Sequence, residues 1–90
     1  MKVTWDPLKA RANLAKHGVR FSDVESALFD PGALTRADEH AEGEQWFVSV
    51  GSDALGRVLT VVYSYQGEVI RMISARQATR TERRAYEERI

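Results

Sequence analysis

Ninety residues with no cysteine, 43% apolar side chains and thirteen basic against thirteen acidic groups read as one small globular domain spanning 1–90. That composition excludes a disulfide scaffold, a thiolate metal site and a thiol nucleophile, and its longest apolar-rich stretch, Val58 to Tyr65, falls far short of the roughly 20 residues that cross a bilayer. The zero net charge hides a split: six basic and nine acidic side chains precede Arg57, and seven basic and four acidic ones follow from it, so the halves carry −3 and +3.

Val3 to Trp5 reads as a short opening strand. Asp6 and Pro7 then have the character of an N-cap and a first helical residue, and the helix they open runs to about His17, where Gly18 supplies a left-handed stop. Its expected buried side is Leu8, Ala12 and Ala15 with Leu14, leaving Lys9, Arg11, Asn13 and Lys16 outward. A second helix opens at Phe21-Ser22, with Ser22 and Glu25 at capping-box spacing, and stops at Asp30-Pro31-Gly32. The period then changes to two. Ala33 to Arg36, Gln45 to Val50, Val58 to Tyr65 and Glu68 to Ala75 are expected strands. Asp38 to Gly43 forms an acidic loop, and the short turns Asp53 to Gly56 and Gln66-Gly67 force the last three strands into an antiparallel meander. Thr79 caps a last helix, with Glu82 at capping-box spacing. The predicted class is α+β, in the order β-α-α-β-β-β-β-α, with an antiparallel sheet and helices packed against one face. Apolar residues on both parities of Val58 to Tyr65 predict that both faces of the central strand are partly covered.

All seven basic residues of the C-terminal half are arginines, whose planar donor fork suits phosphate. Arg71 lies inside the last strand and Arg76 closes it; on a regular strand their opposite parity sends them to opposite faces. Arg80 sits in the first turn of the last helix, where exposed N–H groups attract anions. Arg80 with Arg84, and Arg83 with Tyr86, share sides of that helix. Arg76, Arg80 and Tyr86 are therefore placed to meet a phosphate at the strand–helix junction, or else to pair with Glu82 or Glu87 and pack on the sheet. Lys16, His17 and Tyr86 are groups able to move a proton in such a site. His17 equally suits a capping role at its helix C-terminus. Trp5, Trp46 and Tyr65 are available to stack on bases, although in so short a chain they also serve as core or rim. The cluster of Asp38, Glu39, His40 and Glu42 reads as a solvated loop, and neither metal nor cofactor is assigned. No signal core precedes Asp6, which makes a cytoplasmic location the expectation.

Two longer patterns add to this. Trp5-Asp6-Pro7-x-Lys9 followed by Asn13-x-x-Lys16-His17-Gly18-Val19-x-Phe21, the central Gly43-Glu44, and Arg71-Met72-Ile73-Ser74-Ala75-Arg76-x-Ala78-Thr79-Arg80-x-Glu82-Arg83-x-x-Tyr86 together resemble the BrnT family. The resemblance spans essentially the whole chain. It implies a RelE-like fold and a ribonuclease toxin of a type II toxin–antitoxin pair. It also implies neutralisation by a BrnA-like ribbon-helix-helix antitoxin, which alone contacts operator DNA. The closing segment also looks like the RelE tail, in which an arginine precedes a tyrosine by six residues, as Arg80 precedes Tyr86. Carried over residue by residue, it implies Arg76 and Arg80 on the phosphate of an RNA substrate and Tyr86 near the reacting groups. His17 stands beside them as a further catalytic candidate, with Arg71, Arg83 and Lys16 as substrate-binding candidates. Where relatives often carry arginine after the central Gly-Glu, this chain has Gln45-Trp46. That departure leaves room for a catalytically weak relative acting as a corepressor with its antitoxin.

Overall fold

The computed structural model describes residues 2–38 and 45–88, which form a five-stranded sheet and three α-helices. The Asp6-Pro7 start is realised: the Asp6 carboxylate accepts from the Leu8 N–H at 2.9 Å and opens α1 (Pro7–His17). Gly18, at φ 70°, closes the helix by donating its N–H to the Leu14 carbonyl. The expected buried side of α1 is not the real one. Leu8 is 68% exposed and Ala12 and Ala15 face solvent, whereas Asn13 is buried and Ala10 packs on the core. An amide at a key position here outweighs the apolar pattern, because its partners lie on a distant strand.

The second helical segment is also shorter than its spacing suggests. A 3-10 turn covers Phe21–Asp23, and α2 spans only Glu25–Leu28. The Ser22–Glu25 capping box does not form, because Ser22 lies inside that turn; α2 starts from Val24 without a side-chain cap. Ser26 instead ties the segment to the turn at Asp53 to Gly56 by accepting from the Ala54 N–H at 3.0 Å.

The strands are β1 (Lys2–Thr4), β2 (Leu34–Asp38), β3 (Trp46–Ser52), β4 (Val58–Gln66) and β5 (Val69–Gln77), in sheet order β1-β5-β4-β3-β2. The meander β3-β4-β5 and the hairpin partner β2 are antiparallel, as the short turns require. The sheet as a whole is mixed, however, because β1 runs parallel to β5. A chain that returns to the far edge after three strands can meet that edge in either direction, and local spacing does not choose between them.

Cross-strand pairing separates two faces. One face carries Leu59, Val61 and Tyr63 of β4 with Ile70, Met72 and Ala75 of β5. Phe21, Val24 and Ala27 cover it, with Ala10 and Trp5 at the margin. Gly51 lies beneath α2 on this face: a Cβ there would sit 2.3 Å from the Ala27 carbonyl oxygen. α3 (Arg80–Glu87) packs on the opposite face, so the helices are not confined to one side. Both faces of β4 are covered, as its two apolar parities predicted. No described helix is long and apolar enough to cross a membrane.

Candidate functional site: an arginine-bearing sheet face

A single register shift determines which arginines share a face. Between β4 and β5, Tyr63 pairs with Met72 and Val62 pairs with Ser74, so Ile73 has no partner on β4. An extra residue of this kind reverses the parity of everything beyond it. Arg71 pairs with Ser64 and Arg76 with Thr60, two positions of equal parity on β4. The two arginines therefore point to the same face, contrary to the opposite faces that a regular strand predicts. Arg36 joins them there, through Val48 and Val62 of the same row.

α3 closes one end of this face. Its capping box is complete: Glu82 N–H donates to Thr79 Oγ1 at 3.2 Å and Thr79 N–H donates to Glu82 Oε1 at 2.8 Å. The carboxylate does more than cap. Arg76 donates to it from both terminal nitrogens, at 2.7 and 3.0 Å, and Thr60 donates its hydroxyl at 3.0 Å. Four donors on one carboxylate stabilise its charged form, and the Arg76 hydrogen bonds chiefly hold Glu82 down at about 2. The same bonds raise Arg76 above its ordinary value, so its charge is permanent. Arg76 thus takes the structural pairing that the sequence left open, while its Nε–H has no partner among the described residues.

Arg80 occupies the first position of α3, exposed, with no ion-pair partner among the described residues. It borders a shallow recess of about 250 Å³ with Arg83 and Arg84. Arg83 pairs with Glu87 at 2.8 Å on the exposed side of the helix. Tyr86 is buried, and its hydroxyl donates to Asp30 Oδ2. Asp30 also accepts from the N–H groups of Gly32 and Ser52, each at 2.9 Å, and so joins the α2–β2 turn, β3 and α3. In the sequence Asp30 marks only the end of a helix; its neighbours Pro31 and Gly32 signal a turn and conceal the longer bonds.

Lys16 and His17 stand apart from α3. They line a recess of about 240 Å³ with Asn13, Ile73 and Ser74, at the β5 edge between Arg71 and Arg76 in sequence. Asn13 fixes this end of α1: its amide donates to the carbonyls of Val19 and Ala75, at 3.0 and 2.8 Å, and accepts from the Ala75 N–H at 3.0 Å. Exchanging two bonds with one residue, the side chain acts as a strand partner where β1 has already ended. Among the described residues Arg71 has no ion-pair partner, and beside it Ser64 Oγ and Trp46 Nε1 are buried without hydrogen-bond partners there. Unsatisfied buried polar atoms are uncommon in native folds, and these two share Arg71's row. Of the acidic cluster at 38–42, Glu39, His40 and Glu42 lie outside the described residues, as does the Gly43-Glu44 pair. Among the described residues no three His, Cys, Asp or Glu side chains gather as a metal set.

Fold and face together define a small α+β domain that presents arginines on the side of its sheet flanked by α3. The family model for BrnT, the ribonuclease toxin of type II toxin–antitoxin systems, matches residues 5–82, and the chain belongs to that family. The crystal structure of the Brucella abortus ribonuclease toxin BrnT is similar over 89% of this chain and 99% of that one, with 28% sequence identity and a TM-score of 0.71. No curated protein sequence matches. Membership brings a toxin's partner class: type II systems pair the toxin with an antitoxin.

Proposed function

We propose that the face bearing Arg71 and Arg76 binds and cleaves RNA, and that the cut arrests translation in the cytoplasm until an antitoxin covers it. The observation that carries this reading is the shift at Ile73, which turns two arginines of one strand to the same side. Cleavage follows the route that needs least apparatus. The ribose 2′-oxygen attacks the adjacent phosphorus, the bond from phosphorus to the 5′-oxygen breaks, and a 2′,3′-cyclic phosphate and a free 5′-hydroxyl result. Arg71 and Arg76 stabilise the charge that builds on the phosphate oxygens, so the reaction needs no metal. Arg80 and Arg83, on the flank of α3, extend the cationic surface to neighbouring phosphates. His17, bordering β5 beside Ser74, takes the 2′-hydroxyl proton and a returned proton leaves on the 5′-oxygen, with Lys16 as a further phosphate contact. Tyr86 holds α3 against Asp30 and thereby fixes the position of Glu82 and Arg76.

The sheet is read as that of the RelE fold, and the neutralising partner as a BrnA-like ribbon-helix-helix protein. That protein's acidic segment fills the arginine face, and its other end carries the pair to operator DNA. A second reading has two observations behind it. Glu82 already neutralises Arg76, and Gln45-Trp46 stand where relatives often have arginine, which favours a chain retained as a corepressor. RNA cleavage by the purified protein in EDTA, compared with Arg71→Ala and Arg76→Ala, decides between them. Cleavage by the native chain that both substitutions remove supports the first reading. No cleavage, with tighter antitoxin binding to operator DNA, supports the second.

A further inference from the structure

On the same face, α3 and the edge strand β2 enclose a cleft of about 270 Å³ lined by Leu34, Arg36, Val48, Val50, Glu82 and Ala85. Leu34, Val48 and Val50 form an aliphatic floor, and Ala85 forms the opposite wall. A space smaller than the roughly 300–1,000 Å³ of pockets for whole drug-sized ligands suits one flat ring. Its polar groups are few and opposed in character. Arg36 is exposed at the rim and has no ion-pair partner among the described residues. Glu82 contributes the inner wall, and among the described residues its Oε2 accepts one bond, from Arg76, keeping a lone pair for another donor.

We infer that this cleft holds one unstacked base of the RNA, and that the base is guanine. The inference rests on the reading of this face as the cleaving surface. Glu82 belongs at once to the cleft and to the Arg76 pair, so a base inside lies next to the phosphate that Arg76 contacts. Proteins that read RNA sequence do so mainly on unpaired bases held between side chains. Guanine presents two adjacent acceptors, O6 and N7, that match an arginine fork. It also carries N–H donors on its neighbouring edge, which a carboxylate accepts. Adenine places a donor where Arg36 needs an acceptor, and pyrimidines lack N7.

Titration of the whole protein with GMP, AMP, CMP and UMP, followed by methyl NMR, tests this. The expected result is movement of the Leu34, Val48 and Val50 methyl signals, with GMP bound roughly tenfold more tightly than CMP, the scale of one bidentate base contact. Arg36→Ala, on an exposed edge position, erases that preference, and Ala85→Phe, which fills the cleft, abolishes the shifts while Arg36 remains. Absence of methyl shifts, equal affinity for the four nucleotides, or shifts produced only by an antitoxin peptide each overturn the inference. RNA cleavage measured on the same samples judges the broader reading separately, because cleavage without nucleotide-dependent shifts removes the base site alone.

Discussion

Glu82 shows how a residue chosen for a local task comes to hold a site. Its capping bond to Thr79 is fixed by three positions of sequence, but the bonds to Arg76 and Thr60 depend on α3 docking on the sheet. Its value is lowered from the ordinary 4.5 to about 2. A group depressed on folding stabilises the native state fully above its unfolded value, and that contribution fades as pH falls from about 4.5 toward 2. Glu82→Gln is expected to flatten the acid limb of stability between those limits and to cost about 1–2 kcal/mol near neutrality, measured by urea unfolding across pH. Asn13 makes the parallel case in the core. Asn13→Ala leaves the Ala75 N–H and two carbonyls unpaired, and a loss of about 2–4 kcal/mol in unfolding free energy is expected. A change under about 0.5 kcal/mol, the range of ordinary surface substitutions, would show that the amide does not act as a strand partner.

At the scale of elements, the helix boundaries at Asp6, Gly18 and Thr79 were legible because caps are local. The strands were legible to within two residues from their period of two. What local pattern does not carry is a relation between strands. The shift at Ile73 belongs to the β4–β5 pair, so spacing within β5 alone put Arg71 and Arg76 on opposite faces. The direction of β1 and the position of α3 opposite α1 and α2 are likewise set by the whole sheet. Asn13 differs from its sequence pattern for a related reason: a polar residue on an amphipathic helix reads as outward unless its distant partner is known. Gly51 gives an element-level test. Gly51→Ala forces α2 off β3, since the added methyl meets backbone at 2.3 Å, and overpacking of this kind is expected to cost about 1–3 kcal/mol and lower Tm. An unchanged Tm would mean that α2 does not bear on the sheet there.

The molecule as a whole places its core and its charged surface on opposite sides of one sheet. Phe21, Val24 and Ala27 seal the first side, and Arg36, Arg71 and Arg76 mark the second. Tyr86 connects that division to α3, through the hydrogen bond to Asp30. Tyr86→Phe keeps the ring and removes only the hydroxyl; the expected loss is about 1.5–3 kcal/mol of stability, with RNA cleavage retained below the new Tm. A tyrosine acting on the reacting atoms would instead lose cleavage with little change in stability.

Whether the Arg71–Arg76 face cleaves RNA is tested most directly by RNA cleavage with purified native protein beside the Arg71→Ala/Arg76→Ala double variant, both checked for folding by circular dichroism. The expected result is cleavage by the native chain and a loss of at least a hundredfold in the folded double variant, the scale of removing a donor to developing charge. Undiminished cleavage by that variant would contradict it and move the site elsewhere on the molecule.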